Sequence, residues 1–219
     1  MHEIISNLIK IQNQLKDVDE SRFNDLTKII AVSKTFPMDQ ILPLIEYGHL
    51  DFGENKVQES VDKWTEIKRK HPSIKLHMIG KLQTNKVKFV IPLFDYIHSL
   101  DNYKLAKKIS DEQKKNNRKI KIFIQINIGN EGQKSGIDPS ELSEFYDCCI
   151  NELDLNIIGI MCLPPNEVKG DFYFIKMKEL IQKIPVQELS MGMSNDYLHA
   201  FNSGATFLRI GSKIFGNRN

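Results

Sequence analysis

A short apolar run, then an amphipathic stretch, then another apolar run: after one N-terminal helical segment, this 219-residue chain repeats that alternation until eight runs have passed. The runs are Ile29 to Ser33, Leu50 to Gly53, Leu76 to Gly80, Tyr96 to Ser99, Ile120 to Asn127, Ile157 to Cys162, Gln187 to Ser190 and Thr206 to Ile210. Several are nearly continuous in Ile, Val, Leu and Phe, as parallel strands covered on both faces are. The stretches between them carry helix signals. Asp101 stands as an N-cap before Leu105, Ala106 and Ile109, and Asp138-Pro139-Ser140-Glu141 offers a cap, a first-turn proline and an acid. Lys169 to Ile184 places Phe172, Ile175, Leu180 and Ile181 on one side and stops before Pro185. In the segment Asp39 to Tyr47, Pro43 must sit in the first turn or kink the helix, and Gly48 closes it. Strict β-then-α alternation, eight times over, predicts a closed (β/α)8 TIM barrel, because an open doubly wound sheet uses fewer strands or a longer chain. Ile4, Ile5, Leu8, Ile11 and Leu15 add one helix in front. The expectation is a single domain over residues 1–219, with no room for a second folded unit.

Composition narrows the function classes. The apolar fraction of 41% and charged fraction of 26% describe an ordinary globular protein. A net charge of +2, with lysines scattered between acids, gives no footprint for nucleic acid or an anionic membrane. The basic run Lys114 to Lys121 reads as a solvated helix end. Three cysteines without paired spacing, no apolar leader before residue 20 and no run of membrane-spanning length predict a reduced, cytoplasmic setting.

In a barrel of this kind ligands bind at the C-terminal ends of the strands, and a phosphate sits at the loops after the seventh and eighth. The unusual polar residues fall there. Ala31-Val32-Ser33-Lys34-Thr35 ends an apolar strand on a lysine, whose partly desolvated amine would be freed to attack an aldehyde; the alternative is a lysine snorkelling out of the rim. Ser190-Met191-Gly192-Met193-Ser194 runs into a helix near Asn195-Asp196, and Gly211-Ser212 into a final short helix. Together these two loops read as a phosphate cup of backbone N–H groups and hydroxyls. The competing reading has Ser194 capping its helix and Gly211 packing. Arg209, near the end of the last strand, is costly to bury unless an acceptor waits for it, and both a pyridine nitrogen and a rim acid such as Glu54 qualify. His77 and His98 lack a carboxylate or thiol at ligand spacing, so buried, hydrogen-bonded histidines are expected and no metal site is assigned. Cys162 reads as a small buried thiol, and Trp64 as a helix anchor on the barrel.

The blocks Ala31-Val32-Ser33-Lys34-Thr35, Phe52 to Glu59, Ile79 to Lys86, Lys134-Ser135-Gly136, Leu189 to Ser194 and Arg209 to Gly216, in that order, resemble the YggS/PROSC family of pyridoxal phosphate homeostasis proteins. The resemblance spans nearly the whole chain. It implies a barrel like the N-terminal domain of alanine racemase, with pyridoxal 5′-phosphate (PLP) held as a Schiff base on Lys34. It further implies Asn55 beside the cofactor, phosphate contacts from Ser190, Ser194, Gly211 and Ser212, Gly192 among the cofactor-binding residues, Arg209 at the pyridine nitrogen, and Lys134 as a second lysine in cofactor exchange. Lys81 stands where members vary, and Phe36 where a basic residue is common, which bears on cofactor affinity or exchange.

An arginine at the ring nitrogen would leave it unprotonated and a poorer electron sink. Racemases on this barrel use two opposed acid/base groups, one delivered by an additional domain and a partner subunit. Lys34 could serve one face, but Tyr47, Tyr96, Tyr103 and Tyr197 all fall away from the mouth. The first expectation is therefore a non-catalytic protein, monomeric, that stores, buffers or delivers PLP, with apo PLP-dependent enzymes as recipients. The second is a PLP-dependent racemase or amino-acid lyase. A third, a sugar-phosphate barrel with Lys34 as an aldolase-type amine, leaves Arg209 and the Asn55 block without a role.

Overall fold

The computed structural model describes residues 2–130, 135–165 and 171–216. Eight parallel strands close on themselves in chain order: β1 (Lys28–Val32), β2 (Asp51–Glu54), β3 (Lys75–Met78), β4 (Tyr96–Leu100), β5 (Lys121–Ile126), β6 (Asn156–Cys162), β7 (Glu188–Ser190) and β8 (Phe207–Ile210). β8 returns to β1 in the register Ile30 opposite Arg209, which closes the ring. All eight predicted strands are present, each within a residue or two of its expected ends.

The strand sequences are continuous in apolar residues because alternate side chains serve two different cores. Ile30 and Val32 point inward to a small cluster with Tyr96, Phe123, Met161 and Phe207 that fills the barrel. Ile29 and Ala31 point outward into the larger shell between strands and helices.

That shell is completed by α1 (Glu3–Leu26), α2 (Met38–Glu46), α3 (Val57–Lys70), α4 (Val87–Val90), α5 (Tyr103–Asn116), α6 (Leu142–Asp147), α7 (Phe172–Leu180), α8 (Tyr197–Asn202) and α9 (Ser212–Phe215). The additional helix α1 buries Ile4, Leu8, Ile11 and Leu15, one apolar stripe. It breaks at Asp19, whose carboxylate accepts from the Arg22 N–H at 2.9 Å and restarts the helix. Two bonds tie α1 to the last turns of the barrel, Asn7 Nδ2 to the Ile214 carbonyl at 3.2 Å and the Tyr197 hydroxyl to Gln14 Oε1.

Three helix expectations change. Asn102, not Asp101, caps α5, its Oδ1 accepting from Leu105 N–H at 2.9 Å. Pro43 lies at the sixth position of α2, past the first turn, and Asp39, whose carbonyl it leaves without a helical donor, is exposed. In α7 the buried residues are Phe174, Met177 and Leu180, while Phe172 and Ile175 are half exposed. Lys169 lies outside the described residues.

Cys148, Cys149 and Cys162 are free thiols. Among the described residues no helix is long and apolar enough to cross a membrane, and no group of three or more His, Cys, Asp or Glu could hold a metal ion.

Candidate functional site

At the C-terminal ends of the strands opens a cavity of about 790 Å³, within the usual range for small-molecule sites. Six of the predicted site residues line it together: Lys34, Asn55, Ser194, Arg209, Gly211 and Ser212. Phe36, Ile79, Leu163 and Met193 give the wall its apolar part. Phe36 is stacked on Phe215 of α9, ring centroids 4.9 Å apart, which joins the loop after β1 to the last helix. Lys134 lies outside the described residues.

Lys34 is braced from both sides. Before it, the fully buried Ser33 donates its hydroxyl to Glu54 Oε1 at 2.8 Å and takes Lys63 Nζ on its carbonyl at 3.0 Å. After it, Thr35 has φ +70°, a left-handed backbone that a β-branched residue adopts only under strain, and its N–H donates to Glu59 Oε1 at 2.7 Å. Burial pushes the Glu59 carboxyl up, but that amide and Lys63 outweigh it and hold the pKa below the ordinary value. Glu54 Oε1 also accepts from Lys63 Nζ at 3.0 Å and Trp64 Nε1 at 2.9 Å. Trp64 is therefore more than the packing anchor expected of it. The side chains of Ser33, Glu54, Lys63 and Trp64 form a buried platform beneath the lysine loop.

Arg209 is 4% exposed and donates from Nη1 to Ser190 Oγ at 2.7 Å and from Nη2 to the Cys162 carbonyl at 2.8 Å. Among the described residues no carboxylate pairs with it. Glu54, offered as an ion-pair partner, is committed to Lys63. Burial lowers the pKa of Arg209 from its ordinary value, yet a guanidinium stays charged in proteins. The Cys162 thiol is fully buried and pushed up to about 12 by desolvation. It is inert, and the backbone of that residue is what meets the site.

Two expected cofactor-binding residues, Ser190 and Gly192, lie off the cavity. Ser190 does not line the cavity: as the last residue of β7 it turns its hydroxyl into the barrel, behind Arg209, where His98 Nδ1 is 2.8 Å away. Gly192 is buried as well. With φ +88°, and Ala200 Cβ standing 2.5 Å from where its own Cβ would be, it lets α8 pack closely, and its carbonyl accepts the Arg209 backbone N–H at 3.0 Å. Ser194, Gly211 and Ser212 do line the cavity. Ser194 Oγ accepts from the N–H groups of Gly211 at 3.2 Å and Lys213 at 3.4 Å, linking the loops after β7 and β8. Asp196, also in the wall, has its carboxylate turned onto the Met193 N–H at 2.5 Å.

Behind Ser190 the two histidines are joined, His98 Nε2 lying 3.0 Å from His77 Nδ1, and His77 Nε2 lies 2.9 Å from Asp51 Oδ1. His98 stacks on Phe123 at 4.3 Å and His77 on Tyr96 at 4.2 Å. Desolvation, then the charges of His77 and Arg209, drives the His98 pKa well below its ordinary value. Desolvation also lowers His77, against the pull of Asp51. For Asp51 burial raises the pKa, and His77, His49 and Lys28 together bring it below the ordinary value.

The pattern of the family described as "Alanine racemase, N-terminal domain" matches residues 6–219. A Vibrio cholerae relative named "Pyridoxal phosphate homeostasis protein" is 35% identical over 230 residues, covering 100% of this chain and 98% of its own. The structure of PipY from Synechococcus elongatus PCC7942, with PLP bound, superposes with a TM-score of 0.81 at 29% identity, covering 94% of this chain and 100% of that one. An alanine racemase from Clostridium difficile shares the fold at 14% identity and TM-score 0.72, this chain spanning 57% of it. A family pattern over nearly all the residues and full-length relatives above 30% identity lead to one conclusion: the chain belongs to the alanine racemase N-terminal-domain family, in the group of relatives named pyridoxal phosphate homeostasis proteins.

Proposed function

We propose that this chain holds PLP at the barrel mouth, as a covalent imine on Lys34, and acts in PLP homeostasis by storing, buffering or delivering it. The observation that carries the reading is the convergence of a braced lysine, a buried guanidinium with no carboxylate partner and a two-loop anion cup on one cavity. The names of the full-length relatives and the PLP bound by PipY support it.

The residues suit the group. Asn55 Oδ1 is buried in the cavity wall with no hydrogen-bond partner among the described residues, a polar atom prepared for a ligand substituent. Ser194, Ser212 and the amides of Gly211 and Lys213 would take the phosphate, and Arg209 the ring nitrogen. When bound, PLP supplies an aldehyde that an amine captures reversibly and a conjugated ring that accepts electrons. A guanidinium donates a hydrogen bond without surrendering its proton, so Arg209 would keep that ring a weak electron sink. Among the described residues no tyrosine or histidine lines the cavity opposite Lys34. Both features favour a carrier over a racemase or lyase. The same reading makes the 219 residues one domain, working as a monomer in the reducing cytoplasm with apo PLP-dependent enzymes as recipients.

The test is the visible spectrum of the PLP-loaded protein before and after borohydride, with the reduced adduct mapped by mass spectrometry. A pyridoxyl group on Lys34 is expected, and Lys34→Ala loses the band while its circular dichroism stays unchanged. An unchanged band in that variant refutes the assignment, and efficient turnover of any L- or D-amino acid refutes the carrier role.

A further inference from the structure

Arg209, Ser190, His98, His77 and Asp51 lie in one line through the barrel, from the cavity to the opposite end of β2, contributed by β8, β7, β4, β3 and β2. Counting protons gives the line a direction. Arg209 can only donate, so Ser190 Oγ accepts from it and keeps its own proton to give. Asp51, a carboxylate, can only accept, so neutral imidazoles hand their Nε2 protons toward it and leave His98 Nδ1, 2.8 Å from Ser190 Oγ, to take that proton. With Nδ1 accepting, a neutral His98 carries its proton on Nε2 and donates to His77 Nδ1 at 3.0 Å. His77 in turn donates from Nε2 to Asp51 Oδ1 at 2.9 Å. Every donor points away from the cavity, and the chain ends on a carboxylate. A second proton on either imidazole would turn the His98–Ser190 bond round, leaving Ser190 Oγ accepting from both sides and its own proton without a place in the line. The burial of both rings, stacked on Phe123 and Tyr96, opposes that charge.

We infer that Ser190, His98, His77 and Asp51 are positioning residues for Arg209: their one-way chain fixes which guanidinium N–H groups are used inside the barrel and which face the cavity. It thereby couples the electronic state of a ring bound at the mouth to a carboxylate at the floor. The inference rests on the PLP reading for the identity of that ring. The direction of the chain does not depend on it.

The experiment has two arms. In the ligand-free protein, two-bond ¹H–¹⁵N correlation spectra read the tautomers directly, and Nε2–H is expected for both His77 and His98 at neutral pH. An Nδ1–H tautomer or an imidazolium at His98 overturns the inference. In the PLP-loaded protein, absorbance maximum and dissociation constant are compared across Ser190→Ala, which removes the acceptor of Arg209; His98→Phe, which keeps a ring against Phe123 but cuts the chain; and Asp51→Asn, which keeps an acceptor for His77 without the charge. Loss of a charge-assisted bond predicts a dissociation constant raised about tenfold or more for Ser190→Ala, and loss of a neutral bond one raised about threefold or more for His98→Phe, each with a shifted maximum. A smaller change of the same sign is expected for Asp51→Asn. Variants that only lose thermal stability, keeping spectrum and affinity within about twofold of wild type, overturn it. If His98→Phe does not fold, Ser190→Ala and Asp51→Asn decide. A wild-type protein that forms no coloured adduct refutes the PLP reading instead, and the tautomer arm still judges the chain.

Discussion

Acidification is expected to destabilise this protein through two buried histidines, His77 and His98, and the half-buried His49, at pH values above the ordinary carboxylate range. His49, His77 and His98 all have pKa values lowered from 6.5, in each case first by desolvation. In the unfolded chain each returns to about 6.5. The unfolded state therefore binds more protons below that pH, and stability present above it is lost as pH falls from the unfolded value toward the folded one. For a histidine that stays neutral when folded, going from about pH 7.5 to pH 5.5 costs between about 1 and 1.5 kcal/mol. His98, the most strongly shifted, contributes that in full, and the three together set a ceiling of about 4 kcal/mol. Asp51 and Glu59 are lowered carboxylates, whose loss of stability begins only below the ordinary carboxylate range, outside this window. Urea unfolding of the ligand-free protein at both pH values measures the difference. His98→Phe, with its ring held against Phe123, is expected to flatten the dependence by about 1 kcal/mol. A stability independent of pH over this interval, or a variant with the wild-type slope, refutes the argument that burial keeps these rings neutral.

Other substitutions test the frame around the site. A Cβ on Gly159 would lie 1.9 Å from the Glu188 carbonyl oxygen, so Gly159→Ala forces β6 and β7 apart and costs about 3 kcal/mol or more in urea unfolding. Lys63→Met strands the fully buried Glu54 carboxylate without its cation, a loss of about 3–5 kcal/mol that adding Glu54→Gln partly restores. Thr35→Gly relieves the φ of +70° and raises stability by up to about 1 kcal/mol, while loosening the loop that braces Lys34. Its signature is a higher urea midpoint together with a larger PLP dissociation constant.

The barrel was legible because a strand buried on both faces leaves an unbroken apolar run. Ile29 to Val32 serve two cores at once, and a strand covered on both faces writes that pattern in a few residues. Helix faces were harder. Phe172-Tyr173-Phe174-Ile175 is apolar all round, so periodicity could not choose between Phe174, which packs inward, and Phe172 and Ile175, which stay half exposed. In the site, Lys34, Arg209, Ser194, Gly211 and Ser212 were readable as chemically odd residues at strand ends. The platform beneath Lys34 was not, since Lys63, Trp64 and Glu59 reach Glu54 and Thr35 from α3, whose sequence only says amphipathic helix. Nor was the strain at Thr35, where a β-branched residue is the last type a left-handed backbone suggests. Ser190 is harder still: a serine before a glycine loop looks like part of an anion cup, and only the inward turn of its hydroxyl at the end of β7 shows it against Arg209 and His98.

The hydroxyl of Ser194 already holds the amides of Gly211 and Lys213. Under the proposed function, an arriving phosphate would exchange bonds at those amides, gaining the difference between a charge-assisted hydrogen bond, about 1.5–3 kcal/mol, and a neutral one, about 0.5–1.5 kcal/mol. By the same exchange, a departing phosphate leaves neither amide stranded. A cup that heals itself would lower the barrier to letting go as well as the depth of the bound state, which suits the proposed handing on of a cargo.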